Sequence, residues 1–169
     1  GNETSITVNL TVGSRMYTEE ELNVLADAVV EEILTPDMDL EERTRAIYNY
    51  VRSHVSFTGH SEKGDWIRAA YEGLAEGKGD CYVFACTMKV LLTRAGIPNM
   101  DIAKIPSRTE HYWNLVDLGE GWLHVDATPR KDHVSIFLWT DKELMSYSAR
   151  NYRSHNYDHA LYPEVNGRE

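Results

Sequence analysis

At Gly96-Ile97-Pro98 the hydrophobic period of the chain changes from 3.6 residues to 2, and that switch constrains the fold more than any other feature. Before it, apolar residues recur at helical spacing. Thr18-Glu19-Glu20-Glu21 reads as a capping box, followed by Leu22, Leu25, Ala26, Val29, Val30, Ile33 and Leu34 on one face, with Thr35-Pro36 as the stop. Asp39 reads as the cap of a second helix with Leu40, Ala46, Ile47, Tyr50, Val51 and Val55 inward. Residues 56–65 read as a polar loop, 66–75 as a short helix, 76–79 as a flexible approach, and 81–95 as a mostly apolar helix. Beyond Pro98 the period predicts strands over 101–105, 111–118, 122–126 and 134–139. A second capping box, Thr140 to Glu143, opens a short helix to about Tyr147, and the tail from Ala149 has no period. Helices first and an antiparallel meander second make an α+β arrangement.

The 169 residues suffice for one domain with a real core, expected over 18–169, with 1–17 as an N-terminal extension or linker that is strand-prone at 6–12. Apolar content of 42 % and charged content of 26 % describe an ordinary globular chain. A net charge of −10 argues against nucleic acid and anionic membrane surfaces as partners, since both need basic patches. No apolar run approaches the ~18 residues of a membrane-spanning helix, so no membrane insertion is expected. Gly1 in place of Met reads as a tag scar, which makes loss of an upstream signal or anchor the expectation. The chain carries no signal of oligomeric state.

The stretch with the most chemistry is Gly79-Asp80-Cys81, where a tight turn breaks into the long helix. A cysteine in a first helical turn faces unpaired N–H groups and the positive end of the macrodipole, and both favour the thiolate. Position alone leaves two readings, activated nucleophile and buried structural thiol. The second cysteine, Cys86, is five residues on and points elsewhere. The rise of about 1.5 Å per residue puts the pair beyond disulfide reach, and the spacing is not that of a zinc site. Cys86 is therefore expected to be an inert core thiol.

The strands supply partners for Cys81. With Gly119-Glu120 as a two-residue type II′ turn, Leu118 pairs with Gly121, His111 with Thr128 and Trp113 with Asp126. Alternation then projects His111, Trp113, His124 and Asp126 from one face. His111 and Asp126 become diagonal neighbours about 7–8 Å apart by backbone, and the carboxylate is expected to accept the imidazole Nδ1–H. A one-residue slip would put them on opposite faces. Thiol, imidazole and orienting carboxylate are the groups that acyl transfer requires, and the Cys81 N–H offers an oxyanion donor.

These residues resemble the transglutaminase-like superfamily in its bacterial core-domain form. The resemblance rests on Gly79-Asp80-Cys81, Gly96-Ile97-Pro98, His111-Tyr112-Trp113-Asn114-Leu115-Val116 and Trp122-Leu123-His124-Val125-Asp126-Ala127-Thr128, with a lead-in helix at 42–51. It covers roughly residues 40–130, and its motifs are specific together rather than singly. It implies a papain-like fold, a Cys81–His111–Asp126 triad, and a nucleophile at a helix N-terminus below an antiparallel sheet. Ala127 departs from a frequent proline, and neither calcium sites nor flanking β-domains of animal transglutaminases are visible. A tryptophan near the oxyanion in those enzymes has its counterpart by type in Trp66, with Tyr71 as rival. Core packing is the stronger reading of both. Frequent export among bacterial members makes an extracytoplasmic setting the expectation.

The expected activity is thiol-dependent acyl chemistry on a protein or peptide substrate, cell-wall peptide among the options, with hydrolysis first. Amine transfer by a transglutaminase is the alternative, and a non-catalytic peptide- or cell-wall-binding module is the third reading. No cofactor is called for. His124 and Trp113 are expected to line the site or pack beside it, and Asn114 to bond to backbone. Acidic runs at 19–21 and 31–32 read as solvated helix faces. His54 and His60 read as surface residues, and His133, His155, His159 and Asp158 are too scattered to argue for a metal site.

Overall fold

The structure, a computed structural model, describes residues 17–59 and 61–169; the readings of the strand-prone run at 6–12 and of His60 lie outside the described residues. Among the described residues, five α-helices and six strands follow in order: α1 (Glu19–Ile33), α2 (Leu40–His54), β1 (Ser56–Phe57), α3 (Trp66–Tyr71), β2 (Lys78–Gly79), α4 (Cys81–Arg94), β3 (Asn99–Ala103), β4 (Tyr112–Asp117), β5 (Trp122–Asp126), β6 (Ile136–Trp139) and α5 (Asp141–Arg150). The caps explain the helix starts. The Thr18 hydroxyl accepts from the Glu21 N–H, and Asp39–Glu42 and Thr140–Glu143 each close reciprocal capping boxes.

Strands β3-β4-β5-β6 form one antiparallel meander in chain order. The β4–β5 register pairs Asn114 with Val125, Leu115 with His124 and Asp117 with Trp122, which is the register that the glycine turn predicts. Asp117 Oδ1 holds the turn by accepting from the Gly119 and Gly121 N–H groups at 2.8 and 3.2 Å. The β5–β6 ladder is bulged opposite His124 and Val125, where Leu138 of β6 adopts φ 54° as the extra residue.

One sheet face carries Val116, Leu123, Val125 and Leu138 into a core with α1, α2 and α4. The other carries Ile102, Trp113, Leu115 and Ile136 against Leu144 and Tyr147 of α5 and Tyr157 and Val165 of the tail. The expected packing of N-terminal helices on a sheet is thus one of two layers. Central strands covered on both faces lose the polar-out alternation that would have revealed the second layer.

Several boundaries differ from the sequence reading. The helix expected over 66–75 stops at Tyr71 and continues as one π-helical turn, Glu72–Glu76, ended by Gly77 at φ 66°. This wider turn lies so close to α4 that a Cβ on Gly73 would overlap Thr87 Oγ1. The expected loop and approach segments contain the parallel pair β1–β2, Ser56 opposite Lys78 and Phe57 opposite Gly79, too short to show a period. Strand β3 starts at Asn99 and ends at Ala103, β4 starts at Tyr112, β6 starts at Ile136, and α5 runs on to Arg150.

Candidate active site

The β2–α4 junction builds the nucleophile position. Gly79 crosses Val83 so closely that a Cβ there would overlap all three Val83 side-chain carbons, so only glycine fits. Asp80 caps α4, its Oδ1 accepting from the Tyr82 and Val83 N–H groups at 3.1 and 3.3 Å. The Ser61 hydroxyl donates to the same oxygen at 2.7 Å, and Lys63 pairs with Oδ2. Burial opposes the Asp80 charge, but Lys63 and Ser61 outweigh it and hold the carboxyl below its usual range. Cys81 then occupies the first helical position, half-buried, with Sγ 4.0 Å from the Glu110 carbonyl oxygen. Asp80 takes up two of the helix's free donors, so the Cys81 site is less rich in bare N–H groups than the sequence argument supposed. The Cys81 N–H finds no acceptor among the described residues.

His111 stands at the end of a loop clipped by Lys104, whose ammonium donates to Ser107 Oγ and Thr109 Oγ1 at 2.9 and 2.6 Å. Its ring lies over Trp113, centroids 5.7 Å apart, and its Nε2 is 2.6 Å from Asp126 Oδ2. The bond runs through Nε2 rather than the expected Nδ1, so Nδ1 is the nitrogen left for the thiol. Burial pushes His111 down, but the Asp126 charge and hydrogen bond prevail, the Cys81 thiol adds to them, and the imidazole is raised to about 9.

Asp126 is 2 % exposed, and its carboxylate is fully engaged. Oδ2 takes His111 and, at 2.7 Å, Nε2 of His155; Oδ1 accepts the Thr128 N–H at 3.0 Å. Tyr48 of α2 donates to the Asp126 backbone carbonyl at 3.2 Å, tying the strand end to the helical layer. Burial opposes the charge, yet the two imidazoles hold the carboxyl far below its ordinary value. His155 is a member of this cluster that sequence reasoning missed: the aperiodic tail brings it back to the sheet with no pattern to announce it. The His111, Asp126 and His155 ligand atoms lie within 4.8 Å of one another, with both ring nitrogens on a single carboxylate oxygen. That is the geometry of two N–H donors sharing one acceptor.

Trp113 and His124 are both 0 % exposed, so of the two expectations, lining the site or packing beside it, they follow the second. Trp113 Nε1–H, a donor only, bonds to His124 Nδ1 at 3.0 Å, which requires His124 to carry its proton on Nε2. That proton goes to Asp141 Oδ1 at 2.9 Å, and burial keeps His124 low and neutral. Tyr157 donates to the same oxygen at 2.6 Å, and His159 meets Oδ2 at 2.9 Å. This second network locks the indole on which His111 rests.

The remaining sequence candidates separate. Trp66 faces Lys89, whose ammonium is 4.4 Å from the ring centroid. Lys89 is eight residues along α4 from Cys81, about 12 Å of helical rise. Tyr71 stacks on Tyr17 at 3.7 Å. Besides His111, Lys63 and Tyr112 lie close enough to Cys81 to feel its charge, and neither was singled out by sequence. Tyr112 was legible as the neighbour of His111; Lys63 sits in a polar loop with nothing to mark it. Asn114 donates to the Ala85 carbonyl of α4 at 3.0 Å, and His54 Nε2 lies 2.8 Å from the Leu74 carbonyl. His133 is exposed, and Asp158 caps the turn His159–Leu161.

The sequence model of the transglutaminase-like superfamily matches residues 27–127, more than half of the chain. No curated protein sequence matches it. Among solved structures, a crystal structure of a TGase is similar over 86 % of this chain and 41 % of its own, with 14 % identity and a TM-score of 0.57. A candidate cysteine protease from Cytophaga hutchinsonii is similar over 68 % of this chain and 41 % of its own, with 17 % identity and a TM-score of 0.54. The chain thus spans well under half the length of either, and at these identities the likeness is one of fold. The family match, the shared fold and the chain order of cysteine, histidine and aspartate converge: this chain belongs to the transglutaminase-like superfamily.

Proposed function

We propose that the chain is a cysteine peptidase or amidase in which Cys81 is the nucleophile, His111 the general acid and base, and Asp126 the orienting carboxylate. The observation that carries this reading is the position of His111, held by the buried Asp126 carboxylate on one side and beside the Cys81 thiol on the other. The Cys81 thiolate attacks the amide carbonyl carbon, forming a C–S bond and an oxyanion that the Cys81 N–H stabilises. The tetrahedral centre collapses, the C–N bond breaks, and His111 passes its proton to the leaving amine. Neutral His111 then takes a proton from water, hydroxide attacks the thioester, the C–S bond breaks, and the acid leaves with the Cys81 thiolate and the His111 imidazolium restored. Water is the acceptor in this scheme because it is present in any open site. An amine in its place would make the enzyme a transglutaminase.

The test is a substrate panel of unfolded protein, stem peptides and isopeptide-linked peptides, with new amino groups counted, and dansylcadaverine incorporation followed in parallel. Amine release abolished by Cys81→Ala supports hydrolysis. Incorporation without release supports transfer instead. Neither product, together with a Cys81 that alkylates no faster than a free thiol, would leave the chain a binding module.

A further inference from the structure

His155 takes no part in the scheme above, yet it is bonded as directly to Asp126 as His111 is. It is 0 % exposed, its Nε2 is 2.7 Å from Oδ2, and its Nδ1 is 2.9 Å from Ser154 Oγ. Its ring meets His111 and Trp113 edge-on at 4.8 and 4.9 Å. A carboxylate offers only lone pairs, so Nε2 must carry the proton for this contact to be attractive. Nδ1 is then bare and accepts the Ser154 hydroxyl proton. The backbone holds the ring in place, since the His155 N–H donates to Ser148 Oγ of α5 at 2.9 Å, and Ser148 donates in turn to Asn156 Oδ1 at 2.8 Å.

We propose that His155, its tautomer set by Asp126 and its ring held by Ser154, is a positioning residue that fixes the rotation of the Asp126 carboxylate so that Oδ2 faces His111. The inference rests on the triad reading above. With Oδ1 committed to the Thr128 N–H and Oδ2 to two imidazoles, the carboxylate has one orientation that satisfies all three donors. Without His155 only two donors remain, and the plane is free to turn away from His111. Fewer donors also raise the proton affinity of a buried carboxyl.

The groups facing this pair are His111 with Cys81 behind it, Tyr48 from α2, Arg130 after β5, and Tyr147 from α5. Arg130 donates to the Tyr147 hydroxyl, which donates on to Asp132, so both are engaged away from Asp126.

The experiment measures the rate of Cys81 alkylation by iodoacetamide from pH 4 to pH 10, with kcat and KM for the amide that the panel identifies. His155→Phe keeps the ring and removes the donor. His155→Gln places an amide N–H near the position of Nε2–H. Ser154→Ala spares the buried core and removes the hydrogen-bond partner of His155 Nδ1. The expected result for His155→Phe is a narrower reactive window, its acid limb moving up and its alkaline limb down. One hydrogen bond to a charged group corresponds to about one to two pH units. kcat should fall by about 10–100-fold, the size found for outer partners of ligating histidines, with KM unchanged. His155→Gln should restore most of both, and Ser154→Ala should shift the limbs in the same sense by less. Long-range proton–nitrogen spectra should show His155 protonated on Nε2 alone.

Profiles for His155→Phe and Ser154→Ala that superimpose on wild type would overturn the inference while leaving the triad intact. If His155→Phe does not fold, the Ser154→Ala profile and the tautomer decide, and a proton on Nδ1 overturns it. A wild-type Cys81 with the reactivity and pH profile of an ordinary thiol would remove the triad reading, and this inference with it.

Discussion

At the scale of residues, the most informative group is Asp126. An Asp126→Asn change keeps the shape and loses the charge, and the surroundings add a further cost. Its two oxygens face only donors, the His111, His155 and Thr128 N–H groups, so either placement of the new amide puts an NH2 against an N–H. We therefore expect a fall in turnover of roughly 10–10³-fold, below the ~10⁴ of a serine triad because a thiolate–imidazolium pair leans less on its third member. An unsatisfied buried donor should also cost stability of about 1–3 kcal/mol, read from urea melts. Equal turnover in the variant would make Asp126 a bystander. The two thiols give a second test. Cys86 is 1 % exposed and burial pushes it up to about 12, whereas Cys81 is half-buried beside an imidazolium. Iodoacetamide near neutral pH should label Cys81 well before Cys86, as peptide mass mapping would show, and the reverse order would contradict the assignment of the nucleophile.

At the scale of elements, the nucleophile depends on how β2 meets α4. Strand β2 crosses the first turns of α4 with no room for a side chain at Gly79, because Val83 is fully buried and β-branched and has nowhere to swing. Gly79→Ala should cost about 1–3 kcal/mol by overpacking and displace Cys81, lowering activity more than stability alone accounts for. Val83→Ala opens the space. In the double variant the two losses should be well below additive, a coupling that urea melts of the four proteins would measure. Additive losses would mean that the Gly79–Val83 contact is not the reason for glycine here. The β4–β5 hairpin was legible in advance because its turn glycines set the register and a register settles every facing pair. The parallel β1–β2 pair was not, since two residues cannot display a period.

At the scale of the whole molecule, the buried histidines pull stability in opposite directions with pH. His111 is raised to about 9, so the folded state holds its proton more tightly than the unfolded chain. That contribution is complete below about 6.5 and is lost as pH rises through about 9. His124 and His155 are pushed down, burial outweighing their carboxylate partners. The unfolded chain takes up their protons first, so stability is lost as pH falls below about 6.5. Asp126 and Asp141, held far below the usual carboxylate range despite burial, add a further loss below about pH 4. Urea melts from pH 4 to pH 10 should therefore show a dome with its top between about 6 and 7. His111→Gln should flatten the alkaline side. Stability rising steadily from pH 6 to pH 9 in wild type would show that His111 is not held as a cation.

Sequence alone determined whatever depends on neighbours along the chain. The period switch at Gly96-Ile97-Pro98, the caps at Thr18, Asp39 and Thr140, the glycine before Cys81 and the hairpin register are all local, and together they brought His111 and Asp126 to one face. Tertiary structure alone decided which buried polar groups meet. His155 reaches Asp126 from 29 residues away, and Asp141 gathers His124, Tyr157 and His159. Their segment has no period because it covers a sheet face in irregular turns. Its polar residues are chosen by the partners they satisfy in the interior, and nothing along the chain records that pairing.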